Sequence, residues 1–168
     1  MKKTLVILSL VLVLCFFFLS STDEESAIRA ELDALQNAVK VAEQLHPLAT
    51  LSQAKDISKS FILPLSLESN DSRFAPISFE AVEKFRGKIA QGLGALSSFE
   101  ASYVVRELDI KNSKAKLLAK IDLLGSLKGR DDKFYESHLV EVELRKVDGS
   151  WGIVAGKQLE NLRGNEEE

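Results

Sequence analysis

The chain has 168 residues, of which 45% are hydrophobic and 28% are charged, so it can form one domain with a buried core and is unlike a disordered chain. Its 22 basic and 25 acidic residues give a net charge of -3, which argues against nucleic acid as a partner, because a phosphate backbone needs a basic surface. One cysteine and two histidines exclude an intramolecular disulfide and an all-histidine metal cage, and we expect neither a metal ion nor a cofactor.

The N-terminus, residues 1–21, has the layout of an export signal. Two lysines precede an apolar run over residues 4–19, and Ser20, Ser21 and Thr22 follow it. As a helix this run would measure roughly 24 Å, short of the hydrocarbon layer of about 30 Å. Cleavage after Ser21 or Thr22 is therefore favoured over an uncleaved anchor. Both alternatives predict an exported domain, either periplasmic or attached to the outer face of the inner membrane.

Cys15 lies in this run and resembles the modified cysteine of a bacterial lipoprotein signal. However, Leu14 stands where that motif has a small residue, and phenylalanines rather than a polar tether follow. Cys15 is therefore interpreted as one more apolar residue of the signal.

A long amphipathic helix is predicted from Asp23 to about His46. Pro47 disfavours helical geometry at His46, which would end the helix and place a cation at its C-terminus. The apolar residues of this helix recur at alternating intervals of four and three, as expected for one core-facing stripe: Ile28, Leu32, Leu35, Val39 and Ala42.

Two shorter helices are predicted next. The first covers residues 52–63 and is ended by Pro64, although residues 61–67 are alternatively a short strand. The second is capped by Ser78. It buries an apolar face formed by Phe79, Val82, Phe85, Ile89 and Leu93.

After Leu96 the helical spacing gives way to alternation, which predicts four antiparallel strands. Asp148-Gly149 is a strong signal for a two-residue hairpin turn, and Asn112-Ser113 is a weaker one. The strands are predicted over residues 99–111, 114–125, 133–147 and 150–160.

These turns determine which residues lie opposite each other. One predicted row of the apolar face contains Ile110, Ala115, Leu144 and Ile153, and the next contains Leu108, Leu117, Val142 and Ala155. The other face aligns Asp109, Lys116 and Glu143, an alternating-charge ladder typical of solvent.

The order of these elements resembles the nuclear transport factor 2-like superfamily, an α+β cone in which N-terminal helices pack on a curved antiparallel sheet of four to six strands. The resemblance rests on the stripe of the first helix, on the segment 79–82, and on the closing hairpin 147–153 with Trp151 and Ile153 after the turn. It implies one domain over residues 22–162. The terminal glutamates 166–168 indicate an acidic disordered tail over residues 163–168. The superfamily contains both enzymes and binding modules, so the fold alone does not determine the function.

Few polar residues fall on the predicted concave face. They are Ser102, Arg106, Glu136, His138 and Lys157. Arg106 is expected in a row with Ala119, Val140 and Lys157, and His138 in a row with Val104, Ile121 and Leu159. Together they would give an apolar cavity a rim that suits a small apolar or acidic ligand. The plainer explanation is that Arg106, Lys157 and Glu136 are solvated side chains and that His138 is a hydrogen-bonded histidine at a strand end.

Three functions follow from these patterns. The leading hypothesis is an exported, non-catalytic module that binds a small ligand or a protein partner. The first alternative is an isomerase, dehydratase or cyclase. In such cone enzymes a carboxylate works in an apolar interior, so Glu136 or His138 would be the catalytic base and Arg106 its electrostatic partner. The second alternative resembles the periplasmic assembly factors of type IV secretion systems, tethered to the membrane through residues 4–19.

Members of this superfamily often dimerise through the outer face of the sheet. Here that face is predicted to hold Leu118 and Leu139 among charged residues. A weak homodimer through these two leucines is therefore expected.

Overall fold

The computed structural model describes residues 23–42, 46–70, 75–130 and 132–162. The predicted signal or anchor and the acidic tail lie outside these ranges. The helices are α1 (residues 23–39), α2 (Pro47–Ser58) and α3 (Val82–Ala95). The strands are β1 (Phe61–Glu68), β2 (Ile77–Phe79), β3 (Leu96–Lys111), β4 (Lys114–Leu127), β5 (Lys133–Val147) and β6 (Ser150–Asn161). Within the described ranges, no helix is both long and apolar enough to span a membrane.

The six strands form one mixed sheet in the order β2-β1-β6-β5-β4-β3. β1 runs parallel to β6, and all other neighbours are antiparallel. The four predicted strands and both predicted hairpins are confirmed. At the β5–β6 turn Asp148 and Gly149 both have positive φ, 51° and 84°, which is the conformation of a type I′ turn and the one that Asp-Gly adopts readily.

The core lies between the concave face of the sheet and the helices. Ile28 and Leu32 of α1 are buried there with Leu117 and Leu144 of the sheet, and Leu35 packs against them. The predicted stripe is confirmed up to Val39, but Ala42 is exposed and lies beyond the end of α1. Trp151 and Ile153, just past the closing turn, belong to the same cluster. The α+β cone is therefore confirmed, with three helices and six strands in the ranges that the structure describes.

The partly buried carboxylate of Glu24 attaches the start of α1 to the closing hairpin. Lys146 Nζ lies 2.5 Å from Glu24 Oε1, and Trp151 Nε1 donates a hydrogen bond to Glu24 Oε2 at 2.7 Å. The bond from Lys146, then that from Trp151, lowers the pKa of Glu24 below its ordinary value of 4.5. The charged form of Glu24 therefore stabilises the fold.

The helical segments differ from the prediction at their ends. α1 ends at residue 39, not at His46, because Val41 exchanges two backbone hydrogen bonds of 2.8 Å with Phe99. His46 instead precedes α2, and its Nδ1 accepts a hydrogen bond from the Leu48 amide at 3.4 Å. α2 begins at Pro47, earlier than predicted, since proline suits the first turn of a helix.

The region after α2 also corrects the prediction. Residues from Phe61 onward form β1, the alternative weighed for this segment, and pair with β6. Ser78 and Phe79 belong to the short strand β2 rather than to a helix start. α3 begins only at Val82, and its cap residue Ala81 has no capping side chain.

Three bulges shift the predicted register. In β3, Val105 pairs with Ala119 and Glu107 with Leu118, so Arg106 is an extra residue. In β6, Val154 and Leu159 are likewise extra residues, with no residue of β5 opposite them. Because successive side chains of a strand point to opposite faces, each extra residue exchanges the faces of the residues beyond it.

We predict that the bulge in β3 can be removed without moving any other side chain of the strand to the opposite face of the sheet. Deleting Arg106 leaves Val105 and Glu107 opposite their present partners, so the loss in free energy of unfolding should stay below about 1 kcal/mol. Deleting Val104, the matched control, must move either Arg106 inward or Tyr103 outward, and should cost more than about 2 kcal/mol. Urea denaturation measures both, and equal losses would contradict this account of the bulge.

We also predict that Glu24→Gln lowers the free energy of unfolding by about 1–2 kcal/mol, since hydrogen bonds to a charged group are lost. The folded-state pKa of Glu24 is lowered, so its contribution should be present above pH 4.5 and disappear as the pH falls through the folded-state value. Denaturation of wild type and variant across this range tests both points. Glu107→Gln, at an exposed bulge position, is the control and should change little.

Candidate functional site

An apolar cavity of about 240 Å³ lies between α1 and the concave face of the sheet. Leu35 and Val39 of α1 cover it on one side, and Ala119, Ile121 and Leu123 of β4 form the opposite wall. Ala119 carries only a methyl group at the centre of that wall, so the helix and the sheet do not fill the space between them. An apolar void of this kind is a place where a small ligand can replace missing contacts.

Tyr103 lines this cavity and attaches β3 to α1. Its hydroxyl donates a hydrogen bond to Asp33 Oδ1 at 2.6 Å. Burial disfavours the phenolate, and together with the bond to Asp33 it raises the pKa of Tyr103 to about 12. Tyr103 is therefore a neutral hydrogen-bond donor, which anchors the helix that covers the cavity.

A histidine–glutamate pair lies next to the cavity on the same face of the sheet. His138 is directly opposite Ile121, and Glu136 is opposite Leu123. His138 Nε2 and Glu136 Oε2 are 2.9 Å apart, and the side chains of His138 and Glu136 are 14% and 49% exposed. The imidazole is thus covered, while the carboxylate is half exposed.

The other ring nitrogen of His138 is also engaged. Gln158 Nε2 lies 2.9 Å from His138 Nδ1, and Ser69 Oγ donates to Gln158 Oε1 at 3.0 Å. Because the amide group donates to Nδ1, the ring proton is assigned to Nε2, from which it is donated to Glu136. We call Ser69, Gln158, His138 and Glu136 the mouth network. It connects the residues after β1 to β6 and β5.

Two of the five predicted concave residues are where the sequence placed them. Glu136 and His138 share the concave face and contact each other. The other three are not on that face. Arg106 is the exposed bulge residue of β3, and Lys157 is exposed, with its Nζ 3.7 Å from Glu68 Oε2. Ser102 borders the cavity but pairs with Asp122 on the opposite face.

The bulges explain these corrections. Beyond Arg106 the faces of β3 are exchanged, so Tyr103 and Val105 point inward and Val104 is exposed. Beyond Val154 the faces of β6 are exchanged, so Gln158 instead of Lys157 lies beside Val140. Tyr103, Gln158 and Ser69 were therefore not among the residues predicted for the site. An exposed Arg106-Glu107 pair inside an alternating strand was the one available signal of a bulge.

Comparison with known proteins supports the fold. No protein-family model matches the sequence, and no curated protein matches it. Among solved structures, a hexachlorocyclohexane dehydrochlorinase of type 2 is similar, with a TM-score of 0.63 and 12% identity over 86% of this chain and 92% of that chain. A ketosteroid isomerase-like protein from Erwinia carotovora has a TM-score of 0.58 and 12% identity over 80% and 95% of the two chains.

A third similar structure has no known activity. It is an NTF-2 like protein of unknown function from Shewanella oneidensis, with a TM-score of 0.54 and 14% identity over 80% of this chain and 98% of that chain. The chain therefore has the nuclear transport factor 2-like, or cystatin-like, fold. Identities this low establish the fold alone.

The geometry of Tyr103 predicts an unusual titration. Of the two tyrosines in the chain, Tyr103 should ionise only near pH 12. Its raised pKa stabilises the fold below pH 10, the ordinary pKa, and this contribution is lost as the pH rises towards 12. An ultraviolet titration should show a late step that is absent from Tyr103→Phe and retained in the control Tyr135→Phe. A late step that survives in Tyr103→Phe would refute the assignment.

Proposed function

We propose that this protein is a binding module that holds a small apolar ligand in the cavity beneath α1. The observation that carries the proposal is the apolar wall formed by Leu35, Ala119, Ile121 and Leu123 around about 240 Å³. A cavity of this size accommodates a ligand of roughly ten non-hydrogen atoms. The wall favours an apolar ligand over an acidic one, because Arg106 and Lys157 lie away from it.

The mouth network supplies the polar part of this site. His138 and Glu136 lie directly opposite Ile121 and Leu123 of the cavity wall, one strand away, so a ligand that extends past the wall with a polar end would reach them. His138 has both nitrogens in hydrogen bonds, so it is suited to orient Glu136 and Gln158 rather than to exchange a proton.

Cavity filling tests this proposal. A small fluorescent apolar probe of matching size, such as naphthalene with its ten carbon atoms, should bind wild type, and Ala119→Phe should weaken binding at least about tenfold, since the new ring occupies the site. Val104→Phe, on the exposed face, is the matched control and should bind as wild type does. Ile121→Phe provides a second filling variant if Ala119→Phe unfolds. Unchanged probe binding in both filled and folded variants would contradict the proposal.

Export remains part of the proposal, supported by the basic start and the apolar run over residues 4–19. Sequencing the N-terminus of protein purified from a bacterial host tests it. A new N-terminus near Thr22 supports a secreted, periplasmic module. An intact N-terminus in the membrane fraction supports the tethered assembly factor, and an intact N-terminus in the cytosol contradicts export.

A cone enzyme is the second candidate, favoured by the contact between His138 and Glu136 beside an apolar cavity. Such an enzyme would abstract a proton next to a carbonyl group, with Nδ1 of His138 as the base after the Gln158 amide moves aside. A β,γ-unsaturated ketone is then a suitable test substrate. Turnover that falls at least about 100-fold in His138→Asn supports the enzyme. Turnover that is absent, or equal in wild type and variant, rejects it.

The homodimer stays a proposal as well. Leu118 and Leu139 lie on the outer face, where Lys120 pairs with Leu139 on one side and Val104 on the other. Glu141 lies opposite Leu118 on the same face, and it forms an ion pair within the chain, since Lys116 Nζ is 3.0 Å from Glu141 Oε2. Sedimentation of wild type should show a concentration-dependent dimer that Leu118→Lys with Leu139→Lys abolishes. A wild-type monomer at high concentration, or a dimer that survives in the double variant, rejects this interface.

A further inference from the structure

An apolar patch with a basic border lies on α2 and α3, away from the cavity. Leu48 and Leu51, one helical turn apart on α2, are 73% and 58% exposed. Leu51 borders a groove between α2 and α3 of about 560 Å³, whose other side is formed by the small residues Gly87, Ala90 and Gly94. The two leucines therefore stand beside a shallow surface with no side chain covering them.

Four lysines lie on α2, on α3 or along the groove. Lys55 follows Leu51 by one turn of α2, Lys84 and Lys88 flank Gly87 on α3, and Lys128 lines the groove itself. None of the four forms an ion pair with another residue in the part of the chain that the structure describes. Lys88 Nζ only donates to Gln91 Oε1, at 3.2 Å. Four such lysines on these two helices and along the groove are a local excess of positive charge in a chain whose net charge is -3.

The two helices themselves carry more basic than acidic residues. Their basic residues are Lys55, Lys84, Arg86 and Lys88, and their acidic residues are Asp56 and Glu83. Asp56 is paired with Lys59, at 2.7 Å. The positive charge of α2 and α3 therefore exceeds their negative charge.

We propose that this face docks on an anionic lipid surface. Leu48 and Leu51 enter the boundary between headgroups and acyl chains, while Lys55, Lys84, Lys88 and Lys128 contact the headgroups. Exposed apolar side chains bordered by lysines are the combination that interfacial helices use. Each lysine near an anionic membrane surface contributes about fivefold to the partition coefficient. An apolar protein partner would gain nothing from the lysines, and an acidic one would not need the leucines.

A site-specific probe tests the proposal in the full chain. With Cys15 replaced by serine, Leu51→Cys is labelled with an environment-sensitive nitrobenzoxadiazole group. Val104→Cys, 57% exposed on the outer face of the sheet, is the matched control. Attachment through residues 4–19 would bring both positions near a vesicle, whereas docking through α2 and α3 desolvates only position 51.

We expect a blue shift and stronger emission at position 51 with vesicles of phosphatidylcholine and phosphatidylglycerol, and no change at position 104. Lys84→Gln with Lys88→Gln should weaken this binding at least about tenfold, and added salt should weaken it further. Circular dichroism confirms that each exposed-site variant is folded.

Four results would overturn the proposal. They are no change at position 51 with any vesicle, an equal change with phosphatidylcholine alone, an equal change at position 104, and insensitivity to the lysine substitutions. A shift that grows with protein concentration without vesicles would assign the face to a second copy of this chain. A shift produced by polyglutamate but not by vesicles would assign it to an acidic protein.

Discussion

The alternation of side chains along β3 and β6 is the constraint on which the rest of the structure depends. In a sheet with a buried concave face, every residue of these strands is either inside or outside, and one extra residue exchanges the two sets. The bulges at Arg106, Val154 and Leu159 therefore decide which polar groups reach the interior. They bring Tyr103 and Gln158 inward and leave Arg106 and Lys157 in solvent. The chemistry of the cavity is a consequence of these three positions.

Two sets of hydrogen bonds attach α1 to the sheet. Glu24 attaches the start of α1 to Trp151 and Lys146, and Tyr103 attaches its second half to β3 through Asp33. The cavity lies under the second half of α1, from Leu32 to Val39. There the sheet presents Ala119, whose small side chain leaves room beneath the helix.

The hydrogen bonds of the mouth network limit the chemistry available to His138. A cone with a histidine–carboxylate pair is compatible with proton transfer, and similar structures include a dehydrochlorinase and a ketosteroid isomerase-like protein. In this chain, however, Gln158 occupies the ring nitrogen that a base would need. The proposal of a binding site over a catalytic one therefore rests on the hydrogen bonds of His138 rather than on the fold.

The sequence by itself determined the features that depend on local pattern. The stripe of Ile28 and Leu32, the four long strands, the hairpin at Asp148-Gly149 and the inward face of His138 all follow from periodicity and turn chemistry. Only the tertiary structure decided the features that join distant segments. The end of α1 depends on the pairing of Val41 with Phe99, and β1 exists as a strand through its parallel pairing with β6. The position of a bulge likewise depends on which of two neighbouring residues the core can bury, a choice that alternation within one strand does not specify.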